Sequence, residues 1–553
     1  MISKLVLAAA LLAPFAFLAH PLWEVDDARY AAVPAAMAAS GDWALPRLNG
    51  LDYVEKPPLW YWLAAASYSV LGVGEAAARL PLALLALLTL AGVWWLGSWL
   101  GREDSGGGGS AAGGSLPATA CLILSTCAGF LALSHAIAPD LPLTAFLTWC
   151  TALILRALAH PEDGRWAGPL AWAAAGLAFL SKGLVGIVFP ALWTIGLLIL
   201  FPALRRGWRG LLAPAGPLCF LLVAGPWFLM IEDRKPGFLR FFFLEQHFQR
   251  FLTPKYNRPG PWFFFLPVAF LGLLPWTHLV LAGLAHAWSE WRRKSWRAPA
   301  LALWAAGVVL FFSVSRSKLA TYILPAFPHL ALLAAMALPS AAGKRWVRAA
   351  AAAAAVLLLV PAAAFLVPGL RALAPVPAAA QACAAAALAA LGLGQLCALS
   401  RGWGTAGPAV GALLGTAAAL AGLGLAEPFV SARPVGRAIA SRAGAADLVY
   451  CYGTYLHGLP FYAGRPVDRL IYWVGEVHYA RRDPANADMF GDDSAIRALP
   501  LRGRRVFAVL RRREASYFKT LVAPGSLRRF EDFGSWSLAE IGYGGGLRDS
   551  GGP

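Results

Sequence analysis

Runs of about 20 apolar residues return roughly every 25 residues through most of this chain, and that spacing constrains the fold more than any motif. At 1.5 Å of rise per residue, such a run matches the hydrocarbon core of a bilayer. The 553 residues are 59% hydrophobic and only 14% charged, with a mean hydropathy of +0.60. An ordinary globular chain is ~45–50% apolar. The excess has to face lipid, which excludes a disordered chain, a small disulfide-framework domain and a large soluble core. The segments 3–22, 76–100, 116–134, 141–160, 166–181, 183–203, 211–231, 262–286, 299–315, 321–340, 349–370, 378–400 and 405–427 predict about 13 membrane helices.

The segment 57–73, PPLWYWLAAASYSVLGV, is short, opens on two prolines and carries two Trp and two Tyr, a composition suited to the membrane surface. Charge settles its placement. The net charge of +18 comes from 47 Lys and Arg against 29 Asp and Glu. Arg205, Arg206 and Arg209, then Arg292, Arg293, Lys294 and Arg297, then Lys344, Arg345 and Arg348, all fall in short gaps between apolar runs. Treating 57–73 as interfacial puts all three clusters in the cytoplasm, and counting it as a span puts them outside. The charge rule therefore favours 13 spans with the C-terminus outside, and it removes nucleic acid as the reason for the basic balance. Six of the seven cysteines lie in apolar segments and Cys451 stands alone in the polar tail, so no disulfide is expected.

Two regions are expected, 1–430 in the membrane and 431–553 as a small α/β domain on the outer side, with strands at 447–452, 505–512 and 536–542. The long outer loops are 23–75 and 232–261, and the SGGGGSAAGG tract within 101–115 reads as a tether.

Chemistry-bearing residues gather in the outer regions. In VDDARY, Asp26, Arg29 and Tyr30 would share one face of a helix, with Asp26 or Asp27 as its N-cap. Glu55 and Lys56 stand just before the interfacial segment. Asp140 and Lys182 mark outer helix boundaries, where the bland readings are a cap and a snorkelling lysine. The 232–261 loop interleaves aromatics with six cations, and Glu245, His247 and Arg250 are spaced along one side of a helix there. Arg316, Lys318 and Tyr322 begin another outer helix. Together these residues suit an anionic substrate, a lipid phosphate above all, held by arginine forks and lysine point charges. Glu55 and His247, with His457 as a third that could meet them in space, are candidates for a divalent metal, although no tight ligand spacing requires one. No phosphate-binding glycine fingerprint supports a nucleotide, so an activated sugar would arrive on lipid.

At these residues the chain resembles a known family. VDDARYAAVPAAMAASGDWALPRLNGLDYVEKPPLWYW, the later APD and SKG, PGFLRFFFLEQHFQRFLT with RPGPWFFFLP, and SKLATYILPAFPHLALL occur in the order found in bacterial lipid-A aminoarabinose transferases and their protein O-mannosyltransferase relatives. The resemblance covers about residues 20–330, and beyond them is carried mainly by GTYLHGLPFYAGRPV. It implies an inverting GT-C glycosyltransferase of the bacterial inner membrane, with about 13 transmembrane helices and a periplasmic C-terminal α/β domain. Its donor would be a sugar on undecaprenyl phosphate, its acceptor lipid A or another glycolipid. Carried over by motif, Asp26 and Asp140 are the catalytic acids. Arg29, Tyr53, Lys56, Arg250 and Tyr322 line the donor-phosphate cavity, with Asp27, Glu55, Lys182, His247 and Lys318 around it. The family's Asp-Glu pair is Asp26-Asp27 here, and PLWYW after EKP is no mark of aminoarabinose transfer, so the sugar and the acceptor stay open. A protein O-mannosyltransferase remains an alternative. So does a lipid-sugar flippase, although this chain clusters its charges at the outer boundary rather than at the midplane, where transporters place theirs.

Overall fold

The computed structural model describes residues 2–104, 115–249, 260–341, 343–365, 377–399, 404–473, 475–499 and 504–542. They fall into two compact units. One comprises Met1–Leu18, Lys56–Trp60 and Arg79–Gly422, and the other Ala19–Glu55, Tyr61–Ala78 and Leu423–Pro553. Composition alone divides the chain near 430; packing groups Ala19–Glu55 and Tyr61–Ala78 with the C-terminal segment.

The first unit is helical. Among the described residues eight helices, from Glu75–Arg102 to Ala406–Leu425, are long and apolar enough to cross a bilayer, and two further pairs pass as bent spans. Two shorter apolar helices, Lys4–Phe15 and Val185–Leu200, and the helix Gly164–Lys182 account for the other expected segments. Helical faces confirm a lipid solvent: Leu192, Ile195 and Ile199 line one stripe of Val185–Leu200 and are each more than half exposed. Within 57–73 the chain forms a helix, Leu59–Leu71, whose 13 residues reach only ~20 Å, less than a bilayer's hydrocarbon core.

Two expected spans are broken. Leu116–Ser125 and Ala128–His135 meet at 62°, and Phe265–Gly272 and Thr277–Arg292 at 113°. The breaks are hydrogen-bonded to each other and to the helix Ala378–Leu399. Ala128 N donates to Leu274 O at 2.8 Å, Trp276 Nε1 donates to Thr126 Oγ1 at 2.9 Å, and Gln395 Nε2 donates to Pro275 O at 3.0 Å. Irregular backbone at membrane depth is tolerated where protein groups supply its hydrogen bonds, as they do here.

In the second unit β1 (Arg47–Leu48) and β2 (Leu51–Asp52) form a two-stranded antiparallel ladder. The C-terminal segment forms a six-stranded sheet of β3 (Leu448–Tyr452), β4 (Arg469–Ile471), β5 (Phe490–Gly491), β6 (Val506–Arg511), β7 (Leu527–Phe533) and β8 (Trp536–Ile541). Its order is β5-β4-β3-β6-β8-β7; the first four strands are parallel and β8 and β7 run antiparallel. β3, β6 and β8 coincide with the expected strands. β4 and β5 are too short, and β7, LRRFEDF, too charged, to carry an apolar signal. Residues 19–55 are tied to this sheet's segment by polar contacts. Asn49 Nδ2 donates to Val467 O and Val467 N donates to Asn49 Oδ1, both at 2.8 Å, and Leu22 N donates to the Tyr462 hydroxyl at 2.8 Å.

Candidate functional site

Asp26 opens the helix Asp26–Ser40, so the expected i,i+3 geometry forms: the Arg29 guanidinium is paired with Asp26 Oδ1. Neither aspartate is the N-cap. That position is Val25, and the buried Asp27 turns back to accept from Trp23 N at 3.1 Å. Arg29 is buried, and its Cζ lies 5.1 Å from the Tyr30 ring centroid and 6.0 Å from that of Tyr53. Such ring faces stabilise a desolvated cation. Tyr61 stands 6.2 Å from Tyr30, centroid to centroid. Among the described residues Arg29 Nε and the Tyr61 hydroxyl are buried without a hydrogen-bond partner. Two orphan donors in one cationic, aromatic nook are what an anion's oxygens would satisfy.

The sequence reading missed the other half of this cluster. Arg29 Nη1 lies 2.6 Å from Glu476 Oε1, and Glu476 Oε2 lies 3.4 Å from Nε2 of the buried His457. His457 Nδ1 is in turn 3.6 Å from Glu24 Oε2, while Glu24 accepts the backbone amides of His457 and Gly458, both at 2.8 Å. At 3.4 and 3.6 Å the imidazole contacts are ion-pair distances rather than formed hydrogen bonds. A Cβ at position 458 would sit 2.9 Å from Glu24 Oε1, so glycine lets that carboxylate reach the backbone. Burial pulls the His457 imidazole down, but the Glu24 and Glu476 carboxylates outweigh it and leave its pKa raised. Burial pushes Glu476 up, yet His457 and Arg29 hold it down at about 2. Glu24 was legible as the acid just before VDDAR. Glu476 lies 447 positions beyond Arg29 and follows a strand, β4, too short to signal itself, so nothing in the sequence marked it.

The remaining candidates distribute as follows. In the second unit Glu55 is buried and faces His478 Nδ1 at 3.4 Å. In the first unit Lys182 Nζ donates to Asp140 Oδ1 at 2.5 Å and lies 4.3 Å from the Tyr322 ring centroid. Asp140 makes no capping bond to its own helix, and the Lys182 side chain is only 12% exposed, so the pair replaces the cap and the snorkelling lysine. Lys318 is spent on the carbonyls of Ser313 and Ser315. Lys56 is a half-buried residue of the first unit. Arg250 lies outside the described residues, as does the side chain of His247. Among the described residues no group of three or more His, Cys, Asp and Glu side chains is arranged to hold a metal, and His457 is taken by its two carboxylates.

Residues 55–229 match the family described as dolichyl-phosphate-mannose-protein mannosyltransferase. An undecaprenyl phosphate-alpha-4-amino-4-deoxy-L-arabinose arabinosyl transferase of Pseudomonas aeruginosa is 35% identical over 331 residues, and one of Edwardsiella ictaluri is 32% identical over 325. These matches cover 58% and 57% of this chain but only 56% and 55% of the relatives. In fold, the crystal structure of ArnT from Cupriavidus metallidurans bound to undecaprenyl phosphate superposes with a TM-score of 0.82 at 27% identity. That likeness covers 100% of this chain and 99% of the other. The fold is ArnT-like. The resemblance read from the ordered motifs therefore holds in both sequence and fold, and the chain is a multi-pass helical membrane protein.

Proposed function

We propose that this ArnT-like chain transfers a sugar from undecaprenyl phosphate to an envelope acceptor at the periplasmic face of the inner membrane. The sugar is 4-amino-4-deoxy-L-arabinose, as the relatives' names suggest, and the acceptor is lipid A or another glycolipid. In this reading the chain crosses the membrane 13 times, residues 1–430 form the catalytic membrane domain, and 431–553 form a periplasmic domain. The observation that carries the reading is the whole-chain likeness to a protein solved with undecaprenyl phosphate, together with the partly unsatisfied Arg29 nook.

The chemistry follows from charge. Arg29, Lys56 and Arg250, with Tyr53 and Tyr322, hold the donor phosphate, Asp140 is the second catalytic acid, and Asp27, Glu55, Lys182, His247 and Lys318 line the cavity. An acceptor oxygen forms the new bond to the anomeric carbon from the face opposite the phosphate, and the bond from that carbon to the phosphate oxygen breaks. The electron pair leaves with undecaprenyl phosphate, whose charge the cations neutralise. Asp26 orients a hydroxyl acceptor and takes its proton; a phosphate acceptor brings no proton to remove. Inversion at the anomeric carbon is the expected outcome.

Purified protein in lipid nanodiscs, given undecaprenyl phosphate-aminoarabinose and lipid A, should yield the modified lipid by mass spectrometry. Asp26→Asn and Lys56→Ala should each abolish transfer with expression intact. Wild-type turnover by both variants would remove the assignment. The match of residues 55–229 to mannosyltransferases favours one second reading, mannose transfer to protein hydroxyls, which the same assay detects with a mannosyl donor and a peptide acceptor.

A further inference from the structure

The geometry points to Glu476 and His457 as positioning residues of the transfer site, which hold Arg29 by one nitrogen so that Asp26 keeps an oxygen open for the acceptor. The inference rests on the proposed role of Asp26 and Arg29, and it gives the C-terminal segment a part in the reaction.

A lone Asp–Arg pair at i,i+3 tends toward a two-point clamp, in which both carboxylate oxygens face the guanidinium fork. Here the fork is divided. One terminal nitrogen goes to Asp26 Oδ1 and the other, at 2.6 Å, to Glu476 Oε1. Among the described residues Asp26 Oδ2 has no partner, and the Asp26 side chain is 42% exposed against 7% for Arg29. The open carboxylate oxygen thus exists because a second carboxylate has taken half of the arginine.

Glu476 could not serve this way alone. A single half-buried carboxylate on a loop has several rotamers, and fixing one costs side-chain entropy. His457 lies on its other oxygen, wholly buried between Glu476 and Glu24 and packed against Tyr455 and Trp473, with ring centroids 4.7 and 5.6 Å away. Glu24 is itself fixed by the backbone amides of His457 and Gly458. The two loops involved, after β3 and after β4, leave the carboxyl ends of adjacent parallel strands, the edge where α/β sheets place functional groups. The order Glu24–His457–Glu476–Arg29–Asp26 alternates in charge, and each member fixes the next.

The test uses the full-length protein in nanodiscs. Glu476→Gln keeps the shape and removes the charge, so Arg29 closes on Asp26; kcat should fall about tenfold while KM for the undecaprenyl-linked donor stays within about twofold. Glu476→Asp should recover part of kcat, and His457→Gln should fall between. A readout independent of turnover is carbodiimide labelling of Asp26, followed by peptide mass spectrometry, which should slow severalfold in Glu476→Gln. Unchanged kcat and unchanged labelling would overturn the inference. So would a parallel loss of kcat, donor affinity and thermal midpoint in all three variants, which marks a merely structural role. If the wild type transfers no sugar but the labelling still slows, the positioning stands and the proposed reaction falls.

Discussion

Asp140 and Lys182 illustrate how a buried charge is kept in a membrane protein. Each is tolerated because the other is 2.5 Å away, and with side chains 4% and 12% exposed the pair is nearly dry. Desolvation offsets most of the attraction in such a pair, but removing one partner leaves an uncompensated charge and costs about 3–5 kcal/mol. Asp140→Asn should therefore lower the thermal midpoint in detergent by several degrees, and adding Lys182→Met should restore much of it without restoring activity. A single variant as stable as wild type would show that the pair holds nothing. The Glu24–His457–Glu476–Arg29 cluster adds a pH signature. Glu476, held at about 2 against an ordinary 4.5, contributes stability above pH 4.5 that is lost as pH falls toward 2. Its shift corresponds to about 3 kcal/mol, shared with its partners. His457, raised above 6.5, contributes below that pH and loses its contribution as pH rises through its folded value. Thermal midpoints should peak between about pH 4.5 and 6.5. Glu476→Gln should flatten the acid limb and His457→Gln the alkaline one; unchanged limbs would separate the cluster from stability. Asp26 with Arg29 was legible because i,i+3 spacing is local. Asp140 and Lys182 were legible singly, and their pairing was not, because it depends on two helices packing antiparallel.

Among the described residues, apolar runs located the long helices of the first unit and could not see a break inside one. The segments 116–134 and 262–286 read as single spans because hydropathy averages across Thr126 and Pro275. The two breaks close on each other at small residues. A Cβ on Gly129 would lie 2.7 Å from Phe327 Cε2 and 3.2 Å from Gly272 Cα, and one on Gly272 would lie 2.7 Å from Phe327 Cζ. Overpacking of this kind costs about 1–3 kcal/mol. Gly129→Ala should lower the thermal midpoint, and Phe327→Leu in the same chain should recover part of the loss by making room. Gln395→Leu leaves Pro275 O without its donor and should cost about 1–3 kcal/mol, because no water at that depth replaces it. Circular dichroism melts of the three variants in one detergent decide the matter, and equal midpoints would mean that the joint is slack. Strands were harder to read than helices for a related reason: β4 and β5 are held by their neighbours in the sheet, a non-local cause that a two- or three-residue stretch cannot signal.

For the molecule as a whole, a boundary drawn at 430 from composition differs from how the chain packs. Residues 19–55 and 61–78 form one compact unit with everything after Leu423, because their polar groups are satisfied there. Glu24 N donates to Val430 O at 2.8 Å, the Glu24 carboxylate accepts two amides of the C-terminal segment, Asn49 exchanges two hydrogen bonds with Val467, and Arg29 meets Glu476. A chain ended at 430 would keep all the apolar helices and should still insert in the membrane. Its residues 23–55, however, would lose the partners of their polar groups, each loss costing about 1–3 kcal/mol where the group stays buried, and should lose their order. Limited proteolysis of such a truncation should cut within 23–55 at protease levels that leave the intact protein whole, and transfer should be absent. Resistance of those residues to proteolysis, with transfer retained, would make the C-terminal segment an accessory. The distinction matters because hydropathy divides a membrane protein by solvent, whereas a site is built by whichever segments satisfy one another's charges, and in this chain those segments stand more than 400 residues apart.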